Sequence, residues 1–211
     1  MRTLQKTRWT MLSHPHGIDR SERICPAMSN DDFHIAMSVL RERAVKITQR
    51  RLHDLNVRDS ASSARVKEWF GRDDELTRKN IASGLVKLIA ALKTLTSANF
   101  VRYTPDFGAA QGCAPNSPSG QAAAVCQSDV KNKIIAFTRL YCDLLDISAG
   151  KDSKLSVLIH EVAHFDDVLN ARYHAYGVRK SKALAIVHPE AAIENSDNYA
   201  GYVCERMIFS D

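Results

Sequence analysis

The sequence predicts an α+β fold that is mostly helical, with a small β-sheet packed on one apolar helix. Three observations carry this. Apolar residues recur at helical spacing over two long stretches, Phe33 to Leu55 and Ile81 to Leu95. Short apolar runs, interrupted by a loop rich in Gly and Pro, fall between Phe100 and Thr138. The apolar run from Leu155 to Phe165 contains His160, Glu161 and His164, three groups that are costly to bury unless they pair or bind a metal.

Residues 1–28 read as an irregular N-terminal arm punctuated by Pro15, Gly17 and Pro26, with His14 and His16 on a flexible surface. Residues 29–211 read as a single domain, its helical part 29–98 and its catalytic part 99–211. Ser29-Asn30-Asp31-Asp32 is a helix-start signal, and Phe33, Met37, Leu40, Ala44 and Ile47 continue the helix to about Leu55. Arg41, Arg43, Lys46, Arg50 and Arg51 form its opposite, solvated face. After a link at 59–63, Val66, Trp69 and Phe70 make a short helix ended by Gly71. A second long helix begins near Asp73-Asp74-Glu75, and the two long helices pack on each other.

Phe100–Thr104, Ala122–Val125 and Lys133–Thr138 are the strand candidates, and Pro105–Gly120 is a loop. Lys151-Asp152-Ser153 starts the central helix, which is expected to end near Leu169-Asn170. A helix over 181–187 follows. Asn195-Ser196-Asp197-Asn198 then caps a last helix that carries Tyr199, Tyr202, Val203, Met207, Ile208 and Phe209.

With 211 residues, 45% hydrophobic and 25% charged, the chain has an ordinary globular composition and enough length for a core. The net charge of +5 is dispersed, and no basic run interleaves with aromatics, so no nucleic-acid partner is expected. No run of 18 apolar residues predicts a membrane span. The N-terminus lacks the apolar stretch of an ordinary signal peptide. Of the five cysteines, Cys113 and Cys126 bracket the Pro/Gly/Ser-rich loop as a disulfide pair would, which leans toward an oxidising compartment.

The chemistry lies in His160-Glu161-x-x-His164. On a helix, residues four apart share a face, so the two imidazoles can meet one metal ion. Glu161 falls about 100° further round, where its carboxylate reaches a water rather than the metal. Zinc held by two His and a third protein ligand, with one position open, is the hydrolytic arrangement, and Glu161 is its general base.

The C-terminal part resembles the deuterolysin and peptidyl-Lys metalloendopeptidase family, the aspzincins. The resemblance rests on Ala149-Gly150-Lys151-Asp152-Ser153, Leu158-Ile159-His160-Glu161-Val162-Ala163-His164-Phe165, Ala175-Tyr176-Gly177 and Ala192-Ile193-Glu194-Asn195-Ser196-Asp197-Asn198-Tyr199. Lys67-Glu68-Trp69-Phe70-Gly71 is similar to the family's W-F-G segment. The resemblance implies a zincin-like fold and a zinc endopeptidase acting on protein or peptide substrates. It implies zinc on His160 and His164, Glu161 as base and Tyr176 as the hydroxyl that steadies the oxyanion. It also implies that Asp197 is an acid of the pocket for the side chain after the scissile bond, favouring Lys there.

One departure bears on the metal. The family's third ligand is an Asp nine residues after the second His, and that position is Tyr173 here. His174 is the first candidate to replace it, then Tyr173, then Asp167. Ala200 also stands where peptidyl-Lys members carry another acid, which puts a strict Lys preference in question. The competing reading is a zincin-fold binding or effector protein whose catalysis is lost or altered. A protein delivered outside the producing cell, with a secretion-system or immunity partner, is the expected context, and a cytoplasmic one is the alternative.

Overall fold

The computed structural model describes residues 22–113, 120–148 and 150–205. The expected arm histidines His14 and His16, Ala149, and the Met207–Phe209 end of the last helix lie outside the described residues. Residues 22–28 already pack: Ile24 and Cys25 are buried, and Cys25 is disulfide-bonded to Cys142 across 117 residues.

Helix α1 spans Asn30–Val57, and the Ser29 hydroxyl accepts the Asp32 amide at its start, 3.1 Å away. It buries Phe33, Met37, Leu40, Ala44, Ile47 and Leu55 on one side. Arg51 does not share the solvated face expected of it. It is 4% exposed and its guanidinium donates to the carbonyls of Val203 and Glu205, so it anchors the far end of the chain. Helix α2 spans Ser60–Phe70 and begins earlier than expected, because Asp59 caps it through the Ser62 amide. Helix α3 spans Glu75–Thr94, is capped by Asp74, and packs on α1 through Ile81, Leu85, Leu88 and Leu92.

A 3-10 turn at Ser97–Asn99 leads into strand β1 (Phe100–Arg102), followed by the one-turn helix α4 (Phe107–Ala110). Strands β2 (Ala123–Val125) and β3 (Ile135–Phe137) complete a three-stranded sheet in the order β1-β3-β2. β3 runs parallel to β1 and antiparallel to β2, with Ala124 opposite Ala136. β2 is therefore an edge strand, and it packs on the central helix. The second disulfide joins Cys113 to Cys126, as the loop spacing suggested. The short helix α5 covers Arg139–Cys142.

Helix α6 (Lys154–His164) is the central one, and Leu155 and Val157–His164 are all buried in it. Ser153 and Ser156 cap its start reciprocally, each hydroxyl accepting the other's amide. It stops at His164, well short of the expected Leu169-Asn170. Phe165 turns extended, and its carbonyl collects the amides of Val168 and Asn170. The chain then folds back so that the Ala171 amide donates to Ala163. Helices α7 (Val178–Val187), α8 (Pro189–Ile193) and α9 (Ser196–Cys204) close the fold, with α9 against α6.

Trp69 and Phe70 fix α9 from the other side. The Trp69 indole donates to the Glu205 carboxylate at 2.7 Å, and its ring lies on Gly201, where an added Cβ would sit 1.9 Å from it. Gly71 takes φ +74°, which disfavours a side chain, and its approach to the Ala185 carbonyl leaves no room for one. Gly201→Ala is expected to destabilise the protein by roughly 1–3 kcal/mol through overpacking, read as a drop in the urea midpoint. An unchanged midpoint would mean that α2 and α9 can slide apart freely.

Candidate active site

His160 and His164 lie one turn apart on α6, and the surroundings decide which nitrogen of each is presented. The His160 Nδ1–H donates to Asp197 Oδ1 at 2.5 Å, and the His164 Nδ1–H donates to the Ala171 carbonyl at 2.7 Å. Both Nε2 atoms are thereby turned toward each other, 3.0 Å apart. Two lone pairs at that distance need a cation between them, either a proton or a metal ion. Burial opposes charge on His160, but the hydrogen bond and charge of Asp197 outweigh it and raise its pKa. Burial and the neighbouring His160 charge push His164 down to about 3. In the absence of a metal the pair thus accommodates one proton, not two.

The early end of α6 makes this geometry. Only because the chain turns at Phe165 can the Ala171 carbonyl return to His164. Asp197 reaches His160 from the first turn of α9, and its Oδ2 accepts the Gly177 amide at 2.6 Å. Burial alone would raise the Asp197 pKa, but the bond and charge of His160, with the Gly177 amide, hold it below the usual range. Its expected free carboxylate is therefore fully engaged. The expected side-chain caps of α9 are absent as well, because Asn195 is occupied elsewhere. Its Oδ1 accepts the amides of His174 and Ala175, and its amide group donates to Asn198, which fixes the loop after the histidine pair.

Glu161 is 4% exposed, and its Oε2 has no hydrogen-bond partner among the described residues. Burial first, and then the nearby Asp197 charge, raise its carboxyl to about 7 against the pull of His160. A buried carboxyl poised near neutrality suits a general base. It also costs stability when charged. The group favours folding fully below its ordinary value of 4.5, and that contribution is lost as pH rises through about 7. After chelation of any metal, Glu161→Gln is expected to gain on the parent by on the order of 3 kcal/mol between pH 4.5 and pH 8. Urea midpoints across that range would measure it, and a constant difference would contradict it.

The recess around these groups is lined by His160, Glu161, Tyr173, Tyr176, Asp152 and Asp197, with Ala123 of the edge strand and the preceding Ala122 also in its lining. Tyr173 lies over the imidazoles, its ring 4.1 Å from that of His164 and 5.6 Å from that of His160. Burial and the nearby Glu161 and Asp197 carboxylates push its phenol well above the usual range. Tyr176 stands edge-on to His160, and burial and Asp152 push its phenol up to about 12.

The other expected third ligands are elsewhere. The His174 imidazole is 3.5 Å from Glu194, its backbone is tied to Asn195, and it is not among the residues that line the recess. Asp167 was expected on the helical face below the histidines. With α6 ended at His164, it pairs instead with Lys133 at 2.6 Å.

Asp152 is the residue that the reading of the sequence left without a role. Its carboxylate accepts the Tyr176 phenol, and burial and the Asp197 charge hold its pKa above normal. Its place next to Ser153, the cap of the helix that carries His160, was the available signal. The donor set fits zinc: two imidazoles with matched tautomers and converging Nε2 atoms, an unpartnered buried carboxylate beside them, and a phenol above.

Residues 56–204 match the model of a family described as lysine-specific metallo-endopeptidase, Aspzincin_M35. Over 52 residues the chain is 42% identical to a peptidyl-Lys metalloendopeptidase of Armillaria mellea and 36% identical to one of Grifola frondosa. That stretch is 25% of this chain and spans only 15% of the length of each relative. The fold is similar to that of a zinc peptidase from Grifola frondosa, with a TM-score of 0.64 and 18% identity over 82% of this chain and 94% of that one. The expected zincin-like α+β class is the one observed.

Proposed function

Given that the chain belongs to the lysine-specific metallo-endopeptidase family of aspzincins, we propose that it is a zinc-dependent endopeptidase that hydrolyses protein substrates, with a preference for Lys after the scissile bond. The observation that carries the reading is the pairing of the His160 and His164 Nε2 atoms next to Glu161, whose buried Oε2 has no partner and which lines one recess with His160. His160 and His164 would hold the metal. Bound there, zinc would supply Lewis acidity toward a water and a substrate carbonyl.

The chain's own residues do the rest. Glu161 takes the proton of the attacking water and delivers it to the leaving amine. Tyr176, turned from Asp152, donates its hydroxyl to the oxygen that becomes negative. The outer edge of β2, unpaired in the sheet among the described residues and beside the recess, accepts an extended peptide by backbone pairing. Asp197 holds His160 in its tautomer and adds negative charge to the substrate pocket. Two disulfides favour a site of action outside a reducing cytoplasm, and delivery outside the producing cell is part of the proposal.

Of the three third-ligand candidates, Tyr173 has the supporting geometry, since it alone lines the recess. Tyr173→Asp, which restores the family's ligand, is expected to tighten zinc by tenfold or more, as competition with a chelator would report. Weaker binding by the Asp variant would remove position 173 from the metal site.

Tyr173 also favours a second reading, a protein that keeps the fold and binds without turnover. Zinc content together with hydrolysis of unfolded casein separates the two. Stoichiometric zinc with no cleavage would leave only the binding role.

A further inference from the structure

The active-site recess carries three carboxylates, Asp152, Glu161 and Asp197, and no Lys or Arg among its lining residues. Their commitments differ. Glu161 is 4% exposed, and its buried Oε2 has no hydrogen-bond partner among the described residues. Asp197 has both oxygens engaged, one by His160 and one by the Gly177 amide. Asp152 has only the neutral phenol of Tyr176 as a side-chain partner, and no salt bridge reaches it among the described residues.

Asp152 also stands where the recess continues. A second hollow shares Asp152, Ser156 and Asp197 with the first and runs on to Ala200, Gly201 and the Trp69 ring, with the exposed Lys151 among its lining residues. Ala200, small and uncharged, borders this hollow, and Trp69 contributes apolar surface to it.

We infer that Asp152 is the specificity-determining residue of this chain, the carboxylate that pairs with the cationic side chain of the substrate. The pairing rests on the endopeptidase reading for its place in a reaction. When a Lys ammonium reaches Asp152, the Tyr176 phenol gives up that acceptor and turns to the substrate oxygen, so recognition of the side chain and readiness of the hydroxyl are linked. Asp197 acts at one remove, because turning it to the substrate would release His160.

The test compares the parent with Asp152→Asn and Asp152→Lys on peptides that differ only in Lys or norleucine after the scissile bond. The parent's ratio of kcat/KM for Lys over norleucine is expected to fall about 10- to 100-fold in Asp152→Asn, the range for a lost hydrogen bond to a charged group. Asp152→Lys is expected to shift preference toward Glu at that place, which a merely structural residue would not do. Zinc content and circular dichroism confirm that both variants are folded. Calorimetric titration with L-lysinamide and L-norleucinamide reads the same pocket without turnover. If the parent cleaves nothing yet binds lysinamide more tightly, and Asp152→Asn loses the difference, the assignment stands and the endopeptidase reading falls. If the Lys ratio persists in Asp152→Asn, or both proteins bind the two amides alike, the assignment is overturned.

Discussion

Glu161→Gln is expected to lose about 10²- to 10⁴-fold in peptide hydrolysis while retaining stoichiometric zinc. The carboxylate is buried beside the imidazole pair, has an oxygen without a partner, and is raised to about 7 by burial, so no other described group is as well suited to take the proton. Gln preserves the shape but cannot accept a proton. It also removes the cost of a buried charge, so the variant should be at least as stable as its parent at neutral pH. Activity and zinc content measured on one preparation decide the matter. A Glu161→Gln protein as active as the parent would place the base elsewhere.

His164→Ala should weaken zinc binding by well over a hundredfold, and Asp197→Asn by about 10- to 100-fold, the usual cost of an outer partner of a metal-bound His. The order follows from the geometry. His164 offers its Nε2 directly, whereas Asp197 fixes the tautomer and ring of His160 through a 2.5 Å bond. Asn can still accept from Nδ1–H, so it should be milder than loss of the imidazole. Chelator competition gives both constants. Equal affinities in parent and His164→Ala would dissolve the assigned metal site.

The sequence made the helical scaffold legible because its signals are local. Ser29 and Asp74 cap long helices with one apolar stripe each, and both helices form where the pattern places them. His160, Glu161 and His164 were legible for the same reason, since one helix turn sets their relation. What was hidden depended on distant chain. Nothing near Phe165 announces that α6 must stop there, because the reason is the return of Ala171 to His164. That single turn removes Asp167 from the helical face and brings Tyr173 rather than His174 over the imidazoles. Arg51 read as surface because its partners, Val203 and Glu205, lie more than 150 residues away. Asp197 read as a free pocket acid because its partner His160 belongs to another helix. The pairing of Cys25 with Cys142 has no spacing signal at all.

That last bond bears on survival more than on catalysis. A peptidase is surrounded by copies of itself, and the copies cut whatever fraction of the population is momentarily unfolded. Closing a loop of 117 residues restrains the unfolded chain by about 5 kcal/mol on the chain-entropy account, and so lowers that fraction by ~10³-fold. Until the bond closes, the newly made chain is its own easiest prey. If the protein is delivered outside the producing cell, as proposed, oxidation after synthesis would act as a maturation step that adds durability.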